Sequence, residues 1–396
     1  MSRPRPLCGL RVLDFTRVFS GPYATLLLAD LGATVIKVEH IQGGDDARTF
    51  GPFVAGCSTY FETLSRGKQS LAIDYRIPAG QAILRRLAAS VDVLVENFRP
   101  GQMAKYGLDY ATLHVACPRL VYVSISGFGQ GDTAGRGCYD IVAQAESGLM
   151  GLTGMPDLPC KTGPAIGDAI SGLTAAAGLL AALWDRERTG LGAHLDIAMV
   201  DALFACLENS LAAYDVTGQV PTRRANGDAV LAPFDCFGVE GGWIAIGIGN
   251  DRLWQRMSLL LGPEVAGDTR FVSNAGRVAH YCALRPHIAA WCASQDSGAT
   301  LARLHAAGIP AGAVRTVDEL ACDPRLEARG LLARLALDDG TTLTVPGTPI
   351  LIEDVAPPVY RRGPRLGEHS RAVLTSLSGL DQSEIAAYAR EGIVAV

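Results

Sequence analysis

The sequence lacks the marks of several common protein classes. It has no Lys/Arg block and no interleaving of aromatic with basic residues, and its formal charge of -5 over 396 residues is nearly balanced. Both observations argue against a nucleic-acid surface and favour a small-molecule enzyme. The ten cysteines form no CxxC pair and no Cys/His ligand spacing. We therefore expect neither a metal site nor a disulfide framework, and this cysteine usage suits a reducing cytoplasm.

Long apolar runs are also absent. The first ten residues, MSRPRPLCGL, contain no apolar core of a secretory signal. The apolar run from Gly172 to Trp184 is shorter than the ~20 residues that a bilayer span requires. We expect a cytoplasmic protein that does not enter a membrane. Its length predicts two domains, and a hydrophobic share of 48% allows a large core.

Residues 10–39 predict a βαβ unit of a parallel sheet. An apolar strand precedes a turn at Ser20, Gly21 and Pro22, an apolar helix follows, and a second apolar strand ends at Glu39. The turn carries one glycine and not the G-x-G-x-x-G of dinucleotide-binding proteins, so pyrophosphate binding at this turn is poorly supported. The loop at 40–53, with His40, is more typical of solvated surface than of a site.

The same βα alternation continues to about residue 220. Strands are predicted at SLAIDY, VDVLVEN, RLVYVSIS and AHLDIA, with polar side chains in the loops that follow them. Ligands of doubly wound sheets bind outside the carboxyl ends of the strands, where these side chains cluster. A helix with apolar positions at helical spacing up to Leu211 is predicted to begin near Met199. After a polar linker, residues 226–329 predict a small α/β domain. Residues 330–396 predict short strands at LLARLAL, TLTVPG and PILIED and a last helix, which return to the large domain, 1–220.

Asp168 is the candidate catalytic residue. It lies at or just before the start of an apolar helix that is predicted to run to about Arg188. An aspartate in this place is commonly an N-cap, because its oxygens accept from the free N–H groups of the first turn. On local evidence alone the cap is the better interpretation.

Several stretches together resemble the class III CoA-transferase family, which includes formyl-CoA transferase, carnitine CoA-transferases and α-methylacyl-CoA racemase. They cover the large domain almost continuously, in the family's order and spacing. The stretches are VLDFTRVFSGPYATLLLADLGATVIKVE, GGDDARTFGP, VDVLVENFRPGQMAKYGLDY, PRLVYVSISGFGQ, YDIVAQAESGLM, GPAIGDAISGLTAAAGLLAAL and RTGLGAHLDIAMVDAL, with ANGDAVLAPFDCF and IAIGIGNDRLW in the small domain.

The resemblance implies a Rossmann-like large domain and a smaller α/β domain joined by long linkers, in an interlocked homodimer. It makes Asp168 the nucleophile that attacks a donor thioester, forming an aspartyl anhydride and then an aspartyl-CoA thioester. CoA and acyl-CoA are then substrates, and no cofactor is permanently bound. The relatives with GDDARTFGP-like loops favour succinyl-CoA as donor and a dicarboxylic acid as acceptor. Arg17 and Arg48 could face a second carboxylate or could be structural.

The resemblance also implies site residues. The CoA contacts are His40, Ile73, Arg76, Asn97, Phe98, Arg99, Lys105 and Arg136. Of these, Arg76, Lys105 and Arg136 suit the phosphate groups of CoA. Phe19, Tyr139 and Asp140 are expected near the acyl group. Phe19 stands where formyl-CoA transferase has a glutamine, which weakens the case for formate or oxalate.

Two alternatives stay open. A racemase would need a histidine directly before Asp140, and this chain has Tyr139 there, so racemisation lacks its second acid/base group. A non-catalytic CoA-binding protein would bind CoA and leave acyl groups in place. Transfer of CoA is favoured over both.

Overall fold

A computed structural model describes residues 3–131 and 135–396. The chain forms two compact units. The first contains the residues up to Leu149 together with Thr162–Leu211 and Pro324–Val396, and the second contains Met150–Lys161 and Ala212–Asp323. The hairpin segment 150–161 thus belongs to the second unit. Nothing in the sequence indicated this membership.

A seven-stranded sheet forms the centre of the first unit. Its strands are β1 (Arg11–Asp14), β2 (Thr34–Glu39), β3 (Gln69–Ile73), β4 (Val93–Glu96), β5 (Val121–Ser126), β6 (His194–Ala198) and β7 (Val394–Ala395). The spatial order is β6-β5-β4-β1-β2-β3-β7, and all neighbours are parallel except β7, which runs antiparallel to β3. The predicted parallel α/β sheet is confirmed.

The order of the strands reverses direction between β1 and β4. From β1 the chain proceeds to one side through β2 and β3, and to the other side through β4, β5 and β6. Alternate residues of each strand enter two separate cores, as Leu13 and Val12 of β1 do. In such sheets the crevice at the reversal, outside the carboxyl ends of the strands, is where ligands bind.

Helices cover both faces of this sheet. Three of them build the candidate site: α1 (Ser20–Asp30), α2 (Asp140–Glu146) and α3 (Ile166–Thr189). The remaining helices and turns of the first unit, with two segments that cross into the second, are Asp46–Thr49, Thr59–Ser65, Pro78–Ala88, Gln102–Lys105, Tyr110–Ala116, Leu149–Leu152, Met199–Phe204, Ser210–Thr217, Pro324–Ala328, Ser370–Val373, Leu374–Ser378 and Gln382–Arg390. Two small hairpins pair Phe53–Val54 with Cys57–Ser58 and Leu332–Ala336 with Thr342–Pro346.

Helix α3 packs closely on α1 because its contact face is made of small residues. A Cβ built on Gly172 would come within 2.6 Å of the carbonyl oxygen of Ser20, so only glycine fits there. The opposite face is also apolar, with Leu173, Leu180 and Trp184 exposed. By length and composition α3 is the one helix among the described residues that could cross a membrane, a test that buried core helices also pass.

Three expectations about the elements were wrong. Helix α3 begins at Ile166, with Ala165 in the N-cap position, so Asp168 is its third residue and not its cap. The helix predicted to begin near Met199 and to include Leu211 is two helices, because the first ends at Phe204. The stretch PILIED contains no strand, since Pro349 has no N–H to donate to a ladder and a turn at 353–354 ends the extended backbone.

The second unit has a three-stranded antiparallel sheet of Phe234–Val239, Gly242–Gly247 and Ala311–Ala313. Its other elements are the hairpin Gly154–Met155 with Leu158–Pro159 and the helices Asp251–Leu261, Pro263–Ala266, Thr269–Phe271, Asn274–Ala279, Tyr281–Ala293, Ser297–Ala306 and Val317–Ala321. The guanidinium of Arg277 is fully buried and donates to the carbonyl oxygens of Ala232, Phe271 and Val272. It ties two segments of the chain together at the centre of the unit.

Candidate active site

Asp168 and Ser20 meet where the N-termini of two helices converge. Asp168 is half-buried in the first turn of α3, and Ser20 is the first residue of α1. Hydrogen bonding from the backbone N–H and the hydroxyl of Ser20 lowers the pKa of the Asp168 carboxyl. The N–H groups of a first helical turn have no partner within their own helix, and the dipoles of both helices favour a negative charge here.

Asp140 lies beside Asp168 and secures the start of α3. One oxygen of Asp140 accepts the N–H of Gly167 at 2.7 Å, and the other accepts the side-chain amide of Gln144 at 2.7 Å. Burial raises the pKa of Asp168 to about 6, the charge of Asp140 contributes to this rise, and the bonds from Ser20 oppose it. Asp168 is therefore ionised at neutral pH. The Gly167 N–H is already occupied by Asp140 and is not free to bind an oxyanion.

Aromatic side chains form one wall beside the two carboxylates. The ring of Phe19 stacks on Tyr23 with centroids 5.6 Å apart and lies 6.3 Å from Tyr60. Burial raises the pKa of Tyr60 to about 12, with the charge of Asp168 as the next cause, so Tyr60 stays a neutral phenol. Tyr139 directly precedes α2 with 79% of its surface exposed. It is free to contact a ligand and contributes nothing to the core.

A second cluster surrounds the ring of Tyr75 at the ends of β2, β3 and β4. His40 lies 5.6 Å, Phe98 6.1 Å and Tyr106 5.3 Å from that ring, between centroids. His40 Nε2 lies 3.2 Å from a carboxylate oxygen of Asp74. The predicted residues His40 and Phe98 are thus brought together at the carboxyl edge of the sheet.

The remaining basic residues differ in their surroundings. Arg76 is exposed and held by Asp74 at 3.1 Å, and Lys105 is exposed with Nζ 3.5 Å from the side-chain oxygen of Gln102. Arg136 pairs with Glu146 and lies 4.2 Å above the ring of Phe128. Arg99 is exposed, with its guanidinium next to Gly137. Arg99 thus follows β4, directly after Phe98, with its guanidinium reaching the loop before α2 that carries Arg136.

A family model for "CoA-transferase family III" matches residues 7–370. The chain belongs to this family. Among its curated relatives, a succinate–glutarate CoA-transferase of Agrobacterium fabrum is 37% identical over 392 residues, which are 96% of this chain and 98% of that protein. An acetyl-CoA:oxalate CoA-transferase of Acetobacter aceti is 39% identical over 373 residues, 93% and 95% of the two chains.

Solved structures agree with this assignment. A CaiB/BaiF family protein from Brucella suis superposes with a TM-score of 0.83 at 38% identity, covering 95% of this chain and 100% of that one. A protein from Mycobacterium tuberculosis gives a TM-score of 0.81 at 30% identity, covering 93% and 99%. The predicted family and the CoA-transferase class of enzyme are both confirmed.

Two of the predicted CoA contacts in this CoA-transferase serve the fold. Ile73 is completely buried in the core at the end of β3, so its side chain has no surface left for a ligand. The amide of Asn97 is engaged with the loop between β1 and α1, where its oxygen accepts the Arg17 N–H and its nitrogen donates to the Arg17 carbonyl, each at 2.8 Å. Asn97 also donates to the hydroxyl of Ser20 at 3.3 Å.

The two arginines considered for a second carboxylate already have carboxylate partners. Arg48 makes two 2.7 Å bonds to the buried Glu39, and Arg17 pairs with Asp46. Arg48 also donates to the carbonyl of Pro364 at 3.0 Å. Arg48 of this CoA-transferase is therefore structural.

Sequence reasoning missed Ser20, Tyr60 and a group of buried charges beneath the site. The signal for Ser20 was present, since it starts the helix that was predicted after β1. The charges were detectable as well, because Asp14 and Lys37 interrupt strands that are otherwise apolar. A charge in a buried strand is almost always paired.

Proposed function

We propose that this CoA-transferase moves CoA from an acyl-CoA donor, succinyl-CoA, to the carboxylate of a dicarboxylic acid, with Asp168 as nucleophile. The observation that supports this most is the half-buried Asp168 carboxylate at the meeting point of two helix N-termini, hydrogen-bonded by the N–H and hydroxyl of Ser20. Such a place keeps the carboxylate ionised and supplies donors where negative charge develops.

The reaction divides into steps that need no metal and no redox group. A carboxylate oxygen of Asp168 attacks the thioester carbonyl carbon, the C–S bond breaks, and CoA leaves as thiolate with a mixed anhydride on Asp168. The thiolate then attacks the aspartyl carbonyl carbon and expels the donor acid. The acceptor carboxylate reverses both steps on the resulting aspartyl-CoA thioester, and CoA leaves on the acceptor.

The hydrogen-bond donors of Ser20 and the aromatic side chains beside them have different roles in the proposed reaction. The N–H and hydroxyl of Ser20 hold the Asp168 carboxyl, and they stabilise the oxyanion that forms on the aspartyl carbonyl when the thiolate or the acceptor attacks it. Phe19 and Tyr60 exclude water from the anhydride, which water would hydrolyse. Tyr139, exposed beside the site, packs against the acyl group, and Asp140 holds the start of α3.

The phosphates and adenine of CoA are proposed to lie across the carboxyl ends of β2 to β5. His40 and Phe98 with Tyr75 offer ring surfaces, and Arg76 and Lys105 offer exposed positive charge. Arg99, in the loop after β4, and Arg136, in the loop before α2, offer two further cations. Ile73 and Asn97 support this surface from within.

The acceptor class is proposed from the names of the relatives. One transfers CoA between succinate and glutarate, and another, from Chloroflexus aurantiacus and 34% identical over 388 residues, uses succinyl-CoA and D-citramalate. Succinate, glutarate and D-citramalate are all dicarboxylates, and succinyl-CoA is the donor named for the second relative. We therefore propose the same donor and the same class of acceptor for this chain.

We also propose a cytoplasmic, interlocked homodimer, in which 1–220 and 330–396 form the large domain and 226–329 the small one. A helix that is apolar on all sides is normally enclosed, yet one face of α3 is exposed at Leu173, Leu180 and Trp184. A second copy of the chain would cover it. Light scattering is expected to give the mass of two chains, and the mass of one chain would contradict the dimer.

The function is tested by incubating the protein with succinyl-CoA and a panel of mono- and dicarboxylic acids. We expect new acyl-CoA species with dicarboxylates, with one free succinate released for each. Formation of free CoA with no new thioester would indicate hydrolysis, and no reaction with any acid would contradict the proposal.

The pH dependence follows from the carboxyl of Asp168. Because Asp168 must be ionised to attack and its pKa is about 6, the rate of the first acylation is expected to fall about tenfold per pH unit below pH 6. Asp140→Asn removes a charge that raises this pKa and leaves an oxygen for the Gly167 N–H. The acidic limb of the rate profile should therefore move to lower pH.

Single-turnover kinetics with succinyl-CoA between pH 4.5 and 8 measure this limb. Asp185→Asn, an exposed carboxylate at the far end of α3, is the matched control and should leave it in place. A limb that stays fixed in Asp140→Asn would show that Asp140 does not act on the titration of Asp168.

A further inference from the structure

The loop between β1 and α1, residues 16–19, is held at most of its backbone groups by side chains from β2 and from the loops that follow β2 and β4. The carbonyl of Thr16 accepts Lys37 Nζ at 2.8 Å, and the N–H of Val18 donates to Asp45 at 3.1 Å. Asn97 binds both the N–H and the carbonyl of Arg17. Four bonds from three side chains thus fix three consecutive residues.

The conformation that these bonds fix is an unfavourable one. Val18 has φ of +66°, in the left-handed region. A β-branched residue there is a genuine outlier, since the Cβ of an L-residue crowds the following carbonyl. Such a residue persists only where the surroundings determine it. Val18 is followed by Phe19 and Ser20, so its turn decides where the Ser20 donors point.

Two of the three holding side chains, Lys37 and Asp45, belong to a buried ion network. Lys37 and Asp45 are 2.7 Å apart with side chains 0% and 2% exposed, and Lys68 and Asp14 are 3.1 Å apart with none of either side chain exposed. Asp14 also binds the Thr16 N–H at 2.9 Å, and Lys68 donates to the Pro22 carbonyl at 3.0 Å.

The network is costly to build for stability alone. Desolvation of buried ion pairs commonly cancels their attraction, so packed apolar residues would serve the fold as well. Its members instead surround both ends of the loop that carries Ser20. They fix backbone atoms that an apolar core could not hold.

We propose that Asp45, backed by Lys37, is a positioning residue that holds Val18 left-handed and thereby aims the N–H and hydroxyl of Ser20 at Asp168. This rests on the proposed function and deepens it by naming what orients the donors. Asp45 touches no substrate. Its effect reaches the reaction through one hydrogen bond to Val18 and the two residues that follow.

The test compares Asp45→Ala with Asp30→Asn. Asp30 forms a buried ion pair with Arg66 at 2.6 Å at the opposite end of α1, so it controls for loss of a buried charge. With succinyl-CoA and glutarate, Asp45→Ala is expected to lower kcat about 100-fold, as loss of an oriented oxyanion donor does, with little change in KM. Asp30→Asn should leave kcat unchanged even where it lowers the melting temperature.

A second pair of variants examines the path through Val18. Glycine adopts positive φ without strain, so adding Val18→Gly to Asp45→Ala should recover part of the lost kcat. Asp45→Asn keeps an oxygen for the Val18 N–H and should retain most of kcat. If Asp45→Ala keeps full kcat, or if neither the glycine nor the asparagine restores activity, the inference is wrong.

A measurement without turnover separates this inference from the proposed function. Infrared titration of the Asp168 carboxyl, identified by subtracting Asp168→Asn, should show a higher pKa in Asp45→Ala, because misaimed Ser20 donors no longer stabilise the ionised form. An unchanged titration overturns the positioning role even if transfer is observed. A raised pKa supports it even if no acid in the panel accepts CoA.

Discussion

Replacing Asp168 with asparagine is expected to reduce CoA transfer by at least about 10⁴-fold, the scale of losses when a covalent nucleophile is removed. Asparagine has nearly the same shape and can still accept from Ser20, but it cannot attack a thioester. Steady-state assays with succinyl-CoA measure the loss. Wild-type protein treated with succinyl-CoA and hydroxylamine should carry a hydroxamate at residue 168, visible by peptide mass spectrometry.

The same variant should be at least as stable as the wild type, which separates lost chemistry from lost structure. The pKa of the Asp168 carboxyl is about 6 in the fold, against an ordinary value of 3.8 for an aspartate. Since the folded state binds the proton more tightly, stability falls as pH rises from about 4 to 6. Removing the ionisable group should therefore raise the free energy of unfolding at pH 7 by up to about 3 kcal/mol. Turnover by Asp168→Asn near the wild-type rate would refute the nucleophile.

Replacing Gly172 with alanine is expected to damage both stability and turnover. The new Cβ would lie 2.6 Å from the Ser20 carbonyl oxygen and 3.4 Å from the Ala24 nitrogen, and these backbone atoms cannot rotate away. Overpacking of this kind costs about 1–3 kcal/mol. Because the displaced residue is Ser20, we also expect kcat to fall about 100-fold, as for a misplacement of about 1 Å.

Gly178→Ala is the control for Gly172→Ala on the same helix. Its Cβ would come within 2.7 Å of Leu195 Cδ2, the end of a flexible side chain that can move. Both variants gain the same helix propensity, about 1 kcal/mol. Any difference between them in thermal unfolding or kcat therefore comes from the atoms that the new Cβ contacts. Equal behaviour of the two would show that α1 and α3 tolerate separation.

The sheet was predictable because its strands are short, apolar and regularly separated by helices. The carboxyl ends of the strands could also be predicted. His40 and Phe98 follow two of these ends and lie close together, as expected for parallel strands. The start of α3 was misplaced because Pro164 and Gly167 read as loop, whereas the N–H of Gly167 is fixed within the helix by Asp140. That bond spans 27 positions, and no local pattern reveals it.

The site was predictable only in part, for a related reason. Asp168 could be identified from the resemblance to the family. Its partner Ser20 could not, because the two meet only through the packing of α1 against α3. That packing depends on small residues, and a sequence does not show which residues they contact. Asn97 was expected to face CoA and instead holds the Arg17 backbone. The Asn97 amide can both donate and accept, so its role depends on the backbone loop beside it. The shape of that loop depends in turn on the left-handed backbone conformation of Val18.

The outer strand β7 has a consequence for how the protein is made. It pairs with β3, and nearby Gly367 and Ser370 bond to Ser70 and Ala72, which lie 297 and 298 positions earlier. On the ribosome, β3 emerges long before these partners exist. Until they are translated, the edge of β3 is an open template for pairing with other nascent chains. The yield of active protein should therefore depend on how the cell shields that edge during synthesis.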